Sequence, residues 1–157
     1  MAKEIERKFL VASDGWRKQA SKPARIRQGY LSRDRARVVR VRTKDKRAFL
    51  TIKSVSAGAS ALARSEFEYE IPFDDAVQLL DQVCVPPVIT KDRFRVPAGG
   101  NLQWEIDVFV SPHPDFVLAE IELPDENTAF ERPAWVGREV TDDPRYENAN
   151  IGTAKLD

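Results

Sequence analysis

The stretch Val38-Val39-Arg40-Val41-Arg42-Thr43-Lys44-Asp45-Lys46-Arg47-Ala48-Phe49-Leu50-Thr51-Ile52-Lys53-Ser54 decides the fold. Two runs alternate with period two, Val38 to Thr43 and Ala48 to Ser54, and the polar connector between them is short enough for an antiparallel hairpin. Arg40 and Arg42 share a face opposite Val39 and Val41, while Thr51 and Lys53 oppose Leu50 and Ile52. The same alternation recurs at Ile5 to Val11, Ile26 to Leu31, Glu66 to Ile71, Thr90 to Val96, Leu102 to Val110 and Phe116 to Leu123, which predicts about eight strands. The connectors Pro97 to Asn101 and Ser111 to Asp115 are also short and rich in turn residues, so hairpins are expected rather than βαβ units.

Helices are few. An Asp74 cap is expected to open a helix over Asp75 to Cys84, with Val77, Leu80 and Cys84 on its apolar stripe and Pro86-Pro87 ending it. A shorter turn is expected after Asp14, through Trp16, and a further helix within Asn127 to Val140. The 157 residues contain no repeat or linker, and one domain over 1–157 is the expectation.

Twenty-five Lys and Arg balance 25 Asp and Glu, so no net field draws the chain to nucleic acid or to an anionic membrane, and neither is expected as a partner. The charged share is 32%, against about 25% in ordinary domains, and this surplus has to occupy a folded surface. One cysteine, Cys84, and one histidine, His113, exclude an internal disulfide and a Cys/His zinc set. No secretory or membrane-spanning run is read, and a reducing cytoplasm is expected. Monomer and homodimer both remain open.

The charges are sorted by sign. Glu4 and Glu6 stand beside Lys8; Glu66, Glu68 and Glu70 share a face; so do Lys91, Arg93 and Arg95, then Glu105 and Asp107, then Glu120 and Glu122. A solvated sheet face explains any one of these. As a set they differ, because like charges stacked on one side of a strand repel unless something of opposite sign sits over them. Adjoining carboxylates supply hard oxygen ligands to Mg²⁺ or Mn²⁺, and Arg and Lys bind phosphate oxygens. With no Walker-type loop, side chains must cradle the phosphates.

Glu4-Ile5-Glu6-Arg7-Lys8 resembles the ExExK signature of the CYTH, or triphosphate tunnel metalloenzyme, superfamily. The resemblance extends through Gln28-Gly29-Tyr30-Leu31, Val39-Arg40-Val41-Arg42, Leu50-Thr51-Ile52-Lys53, Glu66 to Glu70, Lys91-Asp92-Arg93, Trp104 to Asp107, Ala119 to Leu123 and Gly137 to Tyr146. It implies a mainly β (α+β) fold, a closed eight-stranded antiparallel barrel with a few packing helices. It also implies metal-dependent hydrolysis of a small-molecule triphosphate. Carried over by position, Glu4, Glu6 and Glu122 would hold the metal, with Glu120 and Asp107 beside a second ion or its water. Lys8, Arg40, Arg42, Lys53, Lys91 and Arg93 would grip phosphates. Lys91, Asp107 and Glu120 are the candidates for the catalytic step, and Glu68 and Glu105 would either join the acids of the same lumen or position the basic residues through ion pairs. The His-Phe pair that often precedes ExExK in the cyclase branch is missing, and the wording is similar to the short bacterial proteins associated with inorganic triphosphate hydrolysis. Trp16, Trp104, Trp135 and Cys84 are read as core, and His113 as exposed in its turn.

Overall fold

The structure, a computed structural model, describes residues 5–55 and 64–156, so Glu4 lies outside the described residues. Nine strands follow in chain order: β1 Ile5–Val11, β2 Ala24–Asp34, β3 Arg37–Lys44, β4 Arg47–Val55, β5 Arg64–Ile71, β6 Val85–Pro97, β7 Gln103–Ser111, β8 Val117–Leu123 and β9 Val136–Glu139. The helical content is small: a 3₁₀ turn at Gly15–Gln19, α1 at Phe73–Gln78 continuing as a π turn over Leu79–Val83, and a 3₁₀ turn at Pro144–Tyr146. By contact the chain divides into two compact units, Arg25–Lys91 and Met1–Ala24 with Asp92–Asp157. Hydrogen-bonded neighbours run β5-β4-β3-β2-β6 in the first and β6-β7-β8-β1-β9 in the second. The antiparallel sheets and sparse helices match the sequence reading. Neither set is closed into a ring by backbone hydrogen bonds among the described residues.

In the Arg25–Lys91 unit the deciding hairpin forms as read, with Thr43 opposite Ala48 and Lys44 opposite Arg47. The two residues left at its tip begin with Asp45 at φ 53°, a left-handed conformation that Asp tolerates, and the Asp45 carboxylate accepts from the Arg25 backbone N–H at 3.0 Å. One sheet face packs Val41 and Ala48 against Ala76 and Leu80 of the helical segment. Gly29 makes this approach close: a Cβ there would stand 3.0 Å from Cys84 Sγ and 3.2 Å from a Leu80 methyl. With Gly29 committed to the helix side, alternation turns Gln28 and Tyr30 to the other face.

The second unit buries Phe9, Trp16, Trp104, Ile106, Ile121 and Trp135 in one cluster. Trp104 meets Phe9 and Trp135 edge-on at centroid separations of 5.5 and 5.3 Å, the arrangement aromatic quadrupoles favour.

Three local expectations are corrected. The helix starts at Phe73, not after an Asp74 cap: Pro72 occupies the cap position, and the Ala76 N–H reaches its carbonyl at 3.1 Å. Ala76 and Leu80, rather than Val77 and Cys84, are its buried residues, and Pro86 and Pro87 lie within β6. The segment 127–140 is not helical, because Pro133 and Gly137 break it and 136–139 pairs with β1 as β9. Gly137 is required there, since a Cβ would come within 2.9 Å of the Leu10 carbonyl oxygen. His113 is half-buried, with φ 64°, and its Nε2 lies 2.8 Å from the Ile151 carbonyl oxygen.

Strand β9 is tied to β1 by a side-chain fork. Arg7 donates from Nε and Nη2 to Glu139 at 2.8 and 2.6 Å, and Thr141 Oγ1 adds a third donor. The Arg7 hydrogen bonds first, opposed by partial burial and helped by Thr141, hold the Glu139 carboxyl down at about 2. A depressed carboxyl stabilises the fold above its ordinary value of 4.5, and that stability is lost as pH falls toward 2. Glu139→Gln should therefore cost about 1 kcal/mol at neutral pH, a value reduced because the pair is still partly open to water. The loss should shrink between pH 5 and 2, which urea unfolding at several pH values would measure.

Candidate active site

The charged face of the Arg25–Lys91 unit is the one turned away from α1. Cross-strand register aligns Tyr30, Arg40, Thr51 and Glu68 in one row, and Gln28, Arg42, Phe49 and Glu70 in the next. Arg40 and Lys91 are buried, at 8% and 1% exposure, while Arg42 and Lys53 are half-buried. A cation sunk this deeply is costly unless hydrogen bonds or opposite charges meet it. For Arg40 the partners form a relay: its Nη2 donates to Thr51 Oγ1 at 3.4 Å, Thr51 donates to Glu68 Oε1 at 2.9 Å, and Glu68 itself stands 3.9 Å from Arg40. Arg42 donates from Nε and Nη2 to Gln28 Oε1 at 3.0 and 2.7 Å. Burial pushes the Tyr30 phenol above its ordinary value, against the pull of Arg40 and Arg42, so it stays protonated at neutral pH. Sequence reading missed Gln28, Tyr30 and Thr51 as site residues because it followed charge, although their period-two spacing opposite Arg40 and Arg42 carried the signal.

In the other unit carboxylates face carboxylates. Glu6 is paired with Glu122 across β1 and β8, and Glu105 with Glu120 across β7 and β8, while Lys8 stands opposite Glu120. Lys8 Nζ lies 3.7 Å from Glu6 and 4.0 Å from Glu120, and it donates to the Tyr146 carbonyl oxygen at 3.1 Å. Arg93 donates to Asp107 from Nε at 2.8 Å and Nη2 at 3.0 Å, and its Nη1 meets Glu105 at 3.0 Å. Burial would lower the Arg93 pKa, but hydrogen bonding and charge from Asp107, then Glu105 and Glu120, raise it well above the ordinary value. Glu66, Glu70 and Arg95 are exposed.

Among the described residues, no three of His, Cys, Asp and Glu converge as a ready metal cluster. The donors that are described nevertheless suit a hard divalent ion. Glu6 and Glu122 are directly opposite, both exposed, and both oxygen donors, whereas each Asp107 oxygen accepts from Arg93. Glu4, the third expected ligand, precedes the described residues.

These assignments make opposite predictions for Asp107→Asn. If Asp107 chiefly anchors Arg93, removing one charge from a buried pair should destabilise the protein by about 2–4 kcal/mol. If it mainly adds to carboxylate repulsion, the substitution should stabilise the protein. The urea midpoint is expected to fall.

The CYTH domain family model matches residues 2–150. An inorganic triphosphatase of Acetivibrio thermocellus is 46% identical over 151 residues, covering 96% of this chain and 94% of its own. An inorganic triphosphatase of Nitrosomonas europaea is 33% identical over 148 residues, with 92% and 93% covered. The crystal structure of the inorganic triphosphatase NE1496 matches with a TM-score of 0.75 at 30% identity, over 100% of this chain and 99% of that one.

Proposed function

We propose, for a chain that belongs to the CYTH domain family, that its charged faces bind and hydrolyse inorganic triphosphate. The enzyme is a phosphoanhydride hydrolase, as its relatives at up to 46% identity over nearly the whole chain indicate. The observation that carries the site assignment is the placement of Glu6 against Glu122 and Glu105 against Glu120, a costly arrangement for an anion binder and a useful one for a metal-assisted hydrolase. As part of the same proposal, the strands close into an eight-stranded antiparallel barrel with these faces inward. The protein works in the cytoplasm; no helix of the described residues is long and apolar enough to cross a membrane.

Glu4, Glu6 and Glu122 would hold Mg²⁺ or Mn²⁺, with Glu120 nearby. The ion would supply charge neutralisation and polarise the phosphorus under attack. Lys8, Arg40, Arg42, Lys53, Lys91 and Arg93 take the phosphate oxygens. Asp107 and Glu105 fix the plane of Arg93, and Gln28 fixes that of Arg42. Water attacks a terminal phosphorus, the bridging P–O bond breaks, and pyrophosphate leaves with phosphate as the second product. Glu120, buried beside Lys8, takes the proton of the attacking water, with Lys91 the other candidate. A cation already held by hydrogen bonds needs no reorganisation as negative charge moves onto the leaving group.

Of the aromatics on the charged face of the Arg25–Lys91 unit, Tyr30 is buried and Phe49 lies beneath the Arg47 guanidinium at 5.2 Å, so neither offers an open platform for a base. Tripolyphosphate should therefore exceed ATP and thiamine triphosphate in kcat/KM. Glu122→Gln should lower kcat for tripolyphosphate by roughly 100-fold or more while the protein stays folded. A phosphate-release panel with circular dichroism of the variant tests both. Preference for an organic triphosphate would overturn the substrate, and an unimpaired Glu122→Gln enzyme would overturn the metal assignment.

A further inference from the structure

Gln28 is completely buried, at 0% exposure, directly across from Arg42 in the β2–β3 register. Its Oε1 accepts both Arg42 Nε and Nη2, at 3.0 and 2.7 Å. A guanidinium carries donors only, so the amide must turn its oxygen toward Arg42 and its NH₂ group away. That Nε2 is buried and has no hydrogen-bond partner among the described residues. A buried donor left unmet is destabilising, and a position that holds one is expected to receive an acceptor in the working state.

The chemistry of that acceptor follows from a comparison within the protein. Asp107 grips Arg93 with both oxygens, Nε to Oδ1 at 2.8 Å and Nη2 to Oδ2 at 3.0 Å, whereas Gln28 takes both Arg42 donors on Oε1. A carboxylate and an amide can orient a guanidinium alike, but they differ at the second atom. At Asp107 that atom is an anionic oxygen, and at Gln28 it is an NH₂ with hydrogens to give. A carboxylate at position 28 would add a negative charge to the row that bears Arg42. The amide adds none and offers a donor instead.

We propose that Gln28 is a substrate-binding residue: its Oε1 sets the plane of Arg42, and its Nε2 donates to an oxygen of the same triphosphate that Arg42 holds. This role presupposes the triphosphate reading above and assigns to it a neutral contact that charge alone does not reveal. Tyr30, next on the same face and kept protonated, stands opposite Arg40 in the adjoining row.

The test is equilibrium binding of tripolyphosphate without divalent metal, by calorimetry, together with kcat and KM in Mg²⁺. It compares wild type, Gln28→Met, Gln28→Glu, Arg42→Ala and the Gln28→Met/Arg42→Ala pair, each checked by thermal melting. Gln28→Met should weaken binding and raise KM roughly tenfold, the size of a lost hydrogen bond to a charged group, with a smaller change in kcat. Gln28→Glu should bind more weakly still, because it retains an acceptor for Arg42 but sets an anion against phosphate. In the Arg42→Ala background, Gln28→Met should still cost several-fold. Loss only when Arg42 is present would overturn direct donation and leave Gln28 a positioning residue for Arg42, and unchanged binding in Gln28→Met would overturn both roles and leave it a packing group. If the variants fail to fold, the side-chain amide NMR resonance of Gln28 in the wild type decides. It should shift on adding tripolyphosphate, and a fixed resonance under saturating ligand would overturn the proposal. Wild type that binds tripolyphosphate without hydrolysing it would defeat the triphosphatase reading and leave the Gln28 contact standing.

Discussion

Like charges placed directly opposite one another across antiparallel strands are the constraint on which this structure turns. A cross-strand pair brings Cβ atoms to about 5 Å, close enough for two carboxylates to repel, and ordinary sheets avoid it. Here Glu6 faces Glu122 and Glu105 faces Glu120 within a short span of β1, β7 and β8. The opposite sign is concentrated on β3, where Arg40 and Arg42 stand two residues apart. The protein tempers these arrays without cancelling them: Lys8 sits within 4.0 Å of both Glu6 and Glu120, and Arg93 closes on Asp107 and Glu105. The acid array is suited to a cation, and the basic array to anionic oxygens.

The apolar faces set those arrays in place. Gly29 lets β2 lie against Leu80 and Cys84, and β9 anchors to β1 through Gly137 and the Arg7–Glu139 fork. In the other unit Trp104 and Phe9 fill the core from β7 and β1, so Glu105 and Lys8, their chain neighbours, are forced to the opposite face. Functional geometry is thus a by-product of which side of each strand is apolar.

Much of this was legible in the residues. Strand β1 coincides with its expected limits, and the others differ mainly by a few residues at their ends, because alternation and single-sign blocks reinforce one another over six or more positions. Legibility failed where the signal was short, neutral or carried by the main chain. Four residues around Gly137 are too few to announce β9, and Pro72 displaced a helix start that Asp74 seemed to mark. Gln28 bears no charge to draw notice. The Tyr146 carbonyl that meets Lys8 belongs to the backbone, so residue type says nothing of it.

The central claim is that the acid array serves a metal and the basic array a triphosphate in one hydrolytic reaction. Phosphorus NMR of tripolyphosphate incubated with the protein tests it most directly, run in parallel with Mg²⁺ and with a chelator. Equal amounts of pyrophosphate and phosphate should accumulate with Mg²⁺, and the tripolyphosphate resonances should persist in the chelator. Hydrolysis undiminished by chelator, or an unchanged spectrum with Mg²⁺ present, would contradict the account.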